Sequence, residues 1–351
     1  MLPAAALEEL FPHEQATVGQ LHGQAAVLRF GDSAAEYDAL KRAAGLALLG
    51  EGSQWELTGK DRASLVNRLA TQQLDRLGPG EGCETFLTDV KGHIVAHLLV
   101  FVGHQSLVLR TVAGQAEKIF AHLDRYLVRD DVQFYDRSRQ WWELLLAGPR
   151  AAEVLRRLFA TEPPADRLTH VELPWAEGTL SLRSFEPAPR AAWILSADRR
   201  STACLWQALR QAGAHPCGEE ALDAFRIELG WPEYGRDISL SNLPQEVGRD
   251  RLAISLTKGC YLGQETVARL DSHGHVNRIL AGLRFETPEV PPAGTELRTE
   301  GRLAGQVTSA AFSPDLGSAV ALGYVRRGQE QPGTRLDSPH GPAVVAALPM
   351  G

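Results

Sequence analysis

The chain has 351 residues, 44% hydrophobic and 23% charged, enough for two or three cores without disulfide or metal staples. Its 36 basic and 43 acidic residues give a formal charge of −7, and basic runs as short as Arg199-Arg200 and Arg326-Arg327 exclude a nucleic-acid-binding face. The longest apolar run, Ile94 to Val102, is interrupted by His97 and falls far short of the roughly 20 residues that cross a membrane.

Met1 to Leu10 holds no basic residue and meets Glu8 and Glu9, unlike a secretory signal, so a cytoplasmic protein is expected. Residues 1–35 offer no assignable pattern, and the simplest expectation is that they pack across the first half. A β/α alternation begins at Trp55-Glu56-Leu57-Thr58. Asp61 to Ala70 follows as a helix, with Leu65 and Leu69 on one face. Glu84 to Thr88 and Ile94 to Val102 read as a hairpin in which Gly92 supplies a positive φ, followed by a strand at Leu107 to Val112 and a helix at Ala116 to Tyr126.

The same order recurs: Leu144 to Leu146, a helix from Arg150 to Phe159, strands at Leu180 to Phe185 and Ala192 to Ser196, and a helix from Thr202 to Ala212. Glu219 to Leu229 reads as a helix ended by Gly230 and Pro232. Arg226 falls inside its apolar stripe and must snorkel or find a partner, while Glu228 points toward a groove or water; an ordinary helix salt-bridge pattern explains both equally well. Beyond Asn277, short strands at Ile279 to Phe285, Gly305 to Thr308, Val320 to Val325 and Ala343 to Leu348 alternate with Pro/Gly turns, the pattern of a small β-barrel or sandwich.

Four cysteines, Cys83, Cys204, Cys217 and Cys260, lack Cys-x-x-Cys spacing and are expected as reduced thiols rather than disulfides or zinc ligands. The densest chemistry lies in Lys258-Gly259-Cys260-Tyr261-Leu262-Gly263-Gln264-Glu265, just ahead of a helical stretch from Glu265 to Leu270. A free cysteine titrates near 8.5, and a neighbouring cation or helix N-terminus lowers that value. Gly259 and Gly263 permit close approach or positive φ, and Gln264 and Glu265 can bond first-turn amides. The same residues also fit a buried Cys260, a solvated Lys258 and a Glu265–Arg269 pair. Gly78 to Gly82 is a turn, not a phosphate cradle, and His93, His97 and His104 lack the placement of a metal site. Two common hydrolase signals, Gly-x-Ser-x-Gly and His-Glu-x-x-His, are absent.

At these residues the sequence resembles the YgfZ-type folate-binding proteins, relatives of the glycine-cleavage T protein, whose Lys-Gly-Cys-Tyr-x-Gly-Gln-Glu signature is complete at 258–265. The likeness extends to Thr58 to Arg62, Phe86 to Ile94, Arg226 to Gly230, Tyr234 to Ile238, Gly305 to Ser309 and Ala321 to Val325, covering about residue 40 to the terminus. It implies an α+β fold: two ferredoxin-like α+β halves, at about 50–140 and 141–276 within a folate-binding region 36–276, and a C-terminal barrel at 277–351. It further implies a cavity holding tetrahydrofolate or a one-carbon derivative, with Glu228 meeting the pteridine and Arg226, Tyr261, Gln264 and Glu265 as further cofactor contacts. Cys260 and Lys258 carry the chemistry in this reading.

Where the T protein has Gly-x-Ile-x-Asp-Asp-Leu, this chain has Gly92-His93-Ile94-Val95-Ala96-His97-Leu98. A proton-handling side chain contributes typically about 10²–10⁴-fold, so the loss of the acidic pair speaks against conventional aminomethyl transfer, although His97 can handle a proton. The resemblance implies an accessory protein that supports iron–sulfur cluster assembly or repair, clients including cluster-dependent tRNA-modifying enzymes. Two alternatives are a folate-dependent aminomethyltransferase and a folate-holding module whose barrel surface, Ser309 to Asp315, recruits a partner.

Overall fold

The structure, a computed structural model, describes residues 11, 16–21, 24–186 and 191–350. In chain order its elements begin with a hairpin, β1 (Thr17–Leu21) and β2 (Gln24–Arg29), then α1 (Ser33–Arg42), β3 (Gly45–Glu51), β4 (Ser53–Thr58) and α2 (Arg62–Asn67). They continue with β5 (Gly82–Thr88), β6 (Ile94–Val102), β7 (Leu107–Thr111), α3 (Ala116–Asp124), β8 (Gln133–Asp136), β9 (Trp141–Ala147) and α4 (Ala151–Phe159). Next come β10 (His170–Trp175), β11 (Gly178–Glu186), β12 (Ala192–Asp198), α5 (Thr202–Gln211), β13 (His215–Cys217), α6 (Glu219–Leu229), α7 (Asp250–Ala253) and α8 (Gln264–His273). The last strands are β14 (Arg278–Phe285), β15 (Glu296–Thr299), β16 (Arg302–Ser313), β17 (Ser318–Arg326), β18 (Arg335–Leu336) and β19 (Ala343–Ala346).

Two sheets form the α+β core. The first runs β5-β6-β7-β4-β8 and the second β10-β11-β12-β9-β3-β13. Every residue of β6 is buried, which explains its unbroken apolar reading: it is covered on both faces. Leu98 and Val100 face the first half's own core, whereas Leu99 and Phe101 meet Leu145 and Ile194 of the second sheet. The β5–β6 turn is built locally. Asp89 Oδ1 accepts from the Lys91 and His93 amides at 2.8 and 2.9 Å, and Gly92 sits at φ +84°, as the turn requires.

The last six strands run β15-β16-β17-β14-β19-β18. Arg298 and Asp337 exchange two backbone bonds of 2.8 Å across the remaining gap, so the sheet nearly closes into the expected barrel. The barrel shares a core with the rest of the molecule, where Val320, Leu322 and Met350 pack among Phe86, Ile94, Ile227 and Tyr261.

The N-terminal segment corrects one expectation. Phe11, Val27 and Phe30 pack with Trp206 and Leu195, so the hairpin caps the second sheet and not the first half. Strand β3, unassigned in the sequence reading, pairs with β9 inside that same sheet. Both follow from apolar faces that only a distant partner covers.

Candidate functional site

A polar and aromatic cluster joins the two sheets. Glu84 of β5 is fully buried. Its carboxylate accepts from His97 Nε2 at 2.7 Å and Arg167 Nη2 at 2.6 Å, and Arg249 forks onto both oxygens, its Nη2 at 2.8 Å. Burial alone raises the Glu84 carboxyl, but Arg249 and the His97 bond outweigh it and hold it well below the usual carboxylate range. An ionised Glu84 can only accept, so His97 carries its proton on Nε2; burial, against the pull of Glu84, keeps its pKa lowered and the ring neutral.

The aromatic wall is continuous. His97 lies between Phe86, at 5.0 Å, and Trp231, at 5.3 Å, and Trp231 meets Phe185 edge-on at 4.6 Å beneath the Arg249 guanidinium. His97, Arg110, Trp231 and Tyr234 line a narrow, shallow cleft. Among the described residues, Glu186, one residue beyond Phe185, pairs with Arg167 Nε at 3.7 Å, and that nitrogen is buried with no hydrogen-bond partner. Burial raises the Glu186 carboxyl, with Arg167 opposing. Glu84, Arg167, Glu186, Trp231 and Arg249 were missed by sequence reasoning. The available signal was Glu84, an acid inside a strand whose neighbours are all apolar or small.

The signature segment is a second centre. Cys260 and Gly259 are exposed, so the thiol is not a core filler. Lys258 is neither solvated nor bonded to the thiol: it is 6% exposed, and its Nζ donates to the carbonyls of Asn67, Ala70 and Gln72 at 2.7, 2.7 and 2.8 Å. Tyr261 is buried under that ammonium and against Phe86 and Ile94. Gly263, at φ +79°, is the N-cap of α8, which has no side-chain cap; Gln264 is half-buried and Glu265 exposed in its first turn.

Glu228 and Arg226 lie elsewhere. Glu228 accepts from Tyr37 Oη, 2.7 Å from both oxygens, and from Lys41 Nζ at 2.8 Å, so it points at α1 rather than at an open groove or water. Arg226 Nη1 donates to Asp237 Oδ2 and the Trp231 carbonyl, each at 2.9 Å, and Nε to Asp223 at 3.1 Å. Asp237 in turn accepts from Thr308, at 2.5 Å, and Ser309 of β16, which ties α6 to the barrel. Asp315 pairs with Lys41 and Arg42, so much of the Ser309 to Asp315 surface is engaged internally. Among the described residues, no hydrogen bond or ion pair links this group to the signature segment, and no cluster of metal-ligating side chains occurs.

Residues 8–258 match the GCVT N-terminal domain and residues 278–350 the glycine cleavage T-protein C-terminal barrel domain. This chain belongs to the glycine-cleavage T-protein family. An aminomethyltransferase of Streptomyces avermitilis is 29% identical over 98% of this chain and 96% of its own length. One from a Nostoc species is 28% identical over 85% and 81%. The crystal structure of glycine cleavage system aminomethyltransferase T from Bartonella henselae shares the fold, with a TM-score of 0.87 at 21% identity over 98% of this chain and 96% of that one. Aminomethyltransferases of the family use tetrahydrofolate as one-carbon carrier. The family match begins well before residue 40, in keeping with the packing of the N-terminal hairpin. No helix among the described residues is long and apolar enough to cross a membrane.

Proposed function

We propose that this T-family chain binds tetrahydrofolate or a one-carbon derivative at the cluster around Trp231, and that it is a YgfZ-type accessory protein rather than a conventional aminomethyltransferase. Support for folate comes from a cluster of tilted and edge-on rings, Phe86, His97, Trp231 and Phe185, near the Glu186 carboxylate and an Arg167 guanidinium nitrogen that has no hydrogen-bond partner among the described residues. A pterin offers a ring to the wall and paired N–H donors to a carboxylate, and charge-assisted bonds of that kind are the stronger ones. Glu228 already accepts from Tyr37 and Lys41, and we therefore put the pterin at Glu186, beside the rings, with Glu228 keeping acceptor capacity of its own.

The observation that carries the reading against aminomethyl transfer is His97. Where an acid is needed the chain presents Ala96 and a buried, neutral imidazole whose N–H is committed to Glu84. In the accessory reading, Cys260 acts outward on iron–sulfur client enzymes or cluster assembly proteins while folate occupies the cluster. Replacing Cys260 with Ala is expected to lower the activity of several cluster enzymes, tRNA-modifying ones included, under oxidative stress; unchanged activities end this reading.

Aminomethyl transfer is the second reading, and the names of the relatives support it more directly than the first. The purified protein, given aminomethylated carrier protein and tetrahydrofolate, decides between them. Formation of methylenetetrahydrofolate at an enzymatic rate, abolished by His97→Ala, establishes this second reading.

A further inference from the structure

The Lys258 ammonium occupies a cradle made by the end of the first half. Helix α2 stops at Asn67, its Ser64 and Val66 carbonyls taken by the Arg68 and Leu69 amides, and the chain turns through Arg68 to Gln72 before β5. Three carbonyl oxygens of this turn, from Asn67, Ala70 and Gln72, converge on Nζ within 2.8 Å, one for each of the three donors of an ammonium group. Burial draws Lys258 down to about 8, still above neutrality, so the group enters the cradle as a cation at pH 7. The charge that acts on it at pH 7 is Asp75, also on the first half.

The neighbouring backbone follows the same line of attachment. The Leu262 amide donates to the Arg68 carbonyl at 2.9 Å, Thr88 Oγ1 to the Leu262 carbonyl at 2.6 Å, and the Ser255 amide to the Thr71 carbonyl at 2.9 Å. Between these anchors Gly259 has open space around its Cα and Cys260 is exposed.

We propose that Lys258 is the positioning residue of the signature loop: it fills the carbonyl cradle at the end of α2 as a fixed internal cation, and so holds Cys260 outward without acting on the thiol itself. The inference rests on the reading that Cys260 is the outward-acting group, but its test needs no client protein. A loop held in this way presents its thiol at constant height and orientation to a macromolecular partner. A solvated lysine beside a cysteine, by contrast, acts by charge and leaves the loop free.

The experiment uses full-length protein carrying Cys204→Ser, so that Cys260 is the one exposed cysteine among the described residues. In the protein with Lys258 intact, a hydrogen-bonded ammonium exchanges slowly, and a resolved lysine ¹⁵N–¹H₃ signal at pH 6 that disappears in Lys258→Met is expected. In Lys258→Met, amide exchange at Leu262 accelerates by at least ~10-fold, while the barrel amide of Val307, bonded to Thr295, keeps its rate. The pH midpoint of Cys260 alkylation by iodoacetamide stays where it was. Ethylammonium restores slow Leu262 exchange in Lys258→Ala. A midpoint moved upward by one unit in Lys258→Met makes Lys258 a thiol activator and overturns the proposal, as does an unchanged Leu262 rate. If Lys258→Met does not fold, absence of the slow ammonium signal in the protein with Lys258 intact is the overturning result and its presence the supporting one. Unchanged client activity in Cys260→Ala defeats the accessory reading and leaves these loop measurements standing.

Discussion

Single residues carry the largest electrostatic commitments. Glu84 is a fully buried carboxylate answered by two guanidiniums and an imidazole, so removing it strands cations in a low-dielectric interior. Breaking such a set by deleting one partner costs about 3–5 kcal/mol, and Glu84→Ala is expected to lose stability on that scale in urea unfolding at pH 7. Gly263 is the complementary backbone case. It holds φ +79°, and a Cβ there falls 2.4 Å from the Asp89 carbonyl oxygen and 2.8 Å from the Gly92 Cα. Gly263→Ala is expected to cost about 1–3 kcal/mol and to lower the thermal midpoint, with faster amide exchange confined to the signature loop and the β5–β6 turn. The sequence marked Gly263 and Cys260 through one dense motif. It did not mark Trp231 or Arg249, which meet His97 and Glu84, each more than 130 positions away.

At the scale of elements, the strongly patterned segments were legible. The helix at Glu219–Leu229 has the expected bounds, and the β5 and β6 hairpin closes on Gly92. Helix α2 is shorter than its apolar spacing suggested, because Arg68 to Gln72 turn to receive Lys258. The strands β3, β8, β13, β15 and β18 escaped notice for a common reason: they are short or sit beside strands distant in sequence, and pairing rather than local pattern defines them. Strand β10 carries a pH response. His170 is buried edge-on to Phe101, its Nδ1 without a partner, and burial followed by Arg183 lowers its pKa to about 4. Its unfolded value is near 6.5. The unfolded chain therefore binds the extra proton, so stability is present above pH 6.5 and is lost as pH falls toward 4, by at most about 3 kcal/mol. Urea unfolding at pH 7 and pH 4.5 is expected to show a smaller loss in His170→Asn than in the parent.

The whole molecule is held as one body by contacts that no single element announces. Asp237 receives Arg226 from α6 and two hydroxyls from β16, and Lys41 bridges Glu228 and Asp315 between α1, α6 and the barrel. Arg226 and Glu228, which the sequence resemblance puts around a ligand, take part in these contacts that join the barrel to the core. Asp237→Ala leaves Arg226 short of its main counter-ion and the barrel without its anchor, so limited proteolysis is expected to cut faster near residue 277 and release a barrel-sized fragment. Sequence resemblance located the fold and the signature loop, while the polar seam between the sheets, around Glu84 and Trp231, emerged only from the packing. A polar seam and an exposed loop suit a protein that binds a small molecule at one place and presents a thiol at another. Calorimetric titration of the purified chain with tetrahydrofolate under anaerobic conditions tests this directly. The prediction is micromolar binding, about −8 kcal/mol, lost in Trp231→Ala and kept in Cys260→Ala; no heat of binding from the unmutated chain contradicts it.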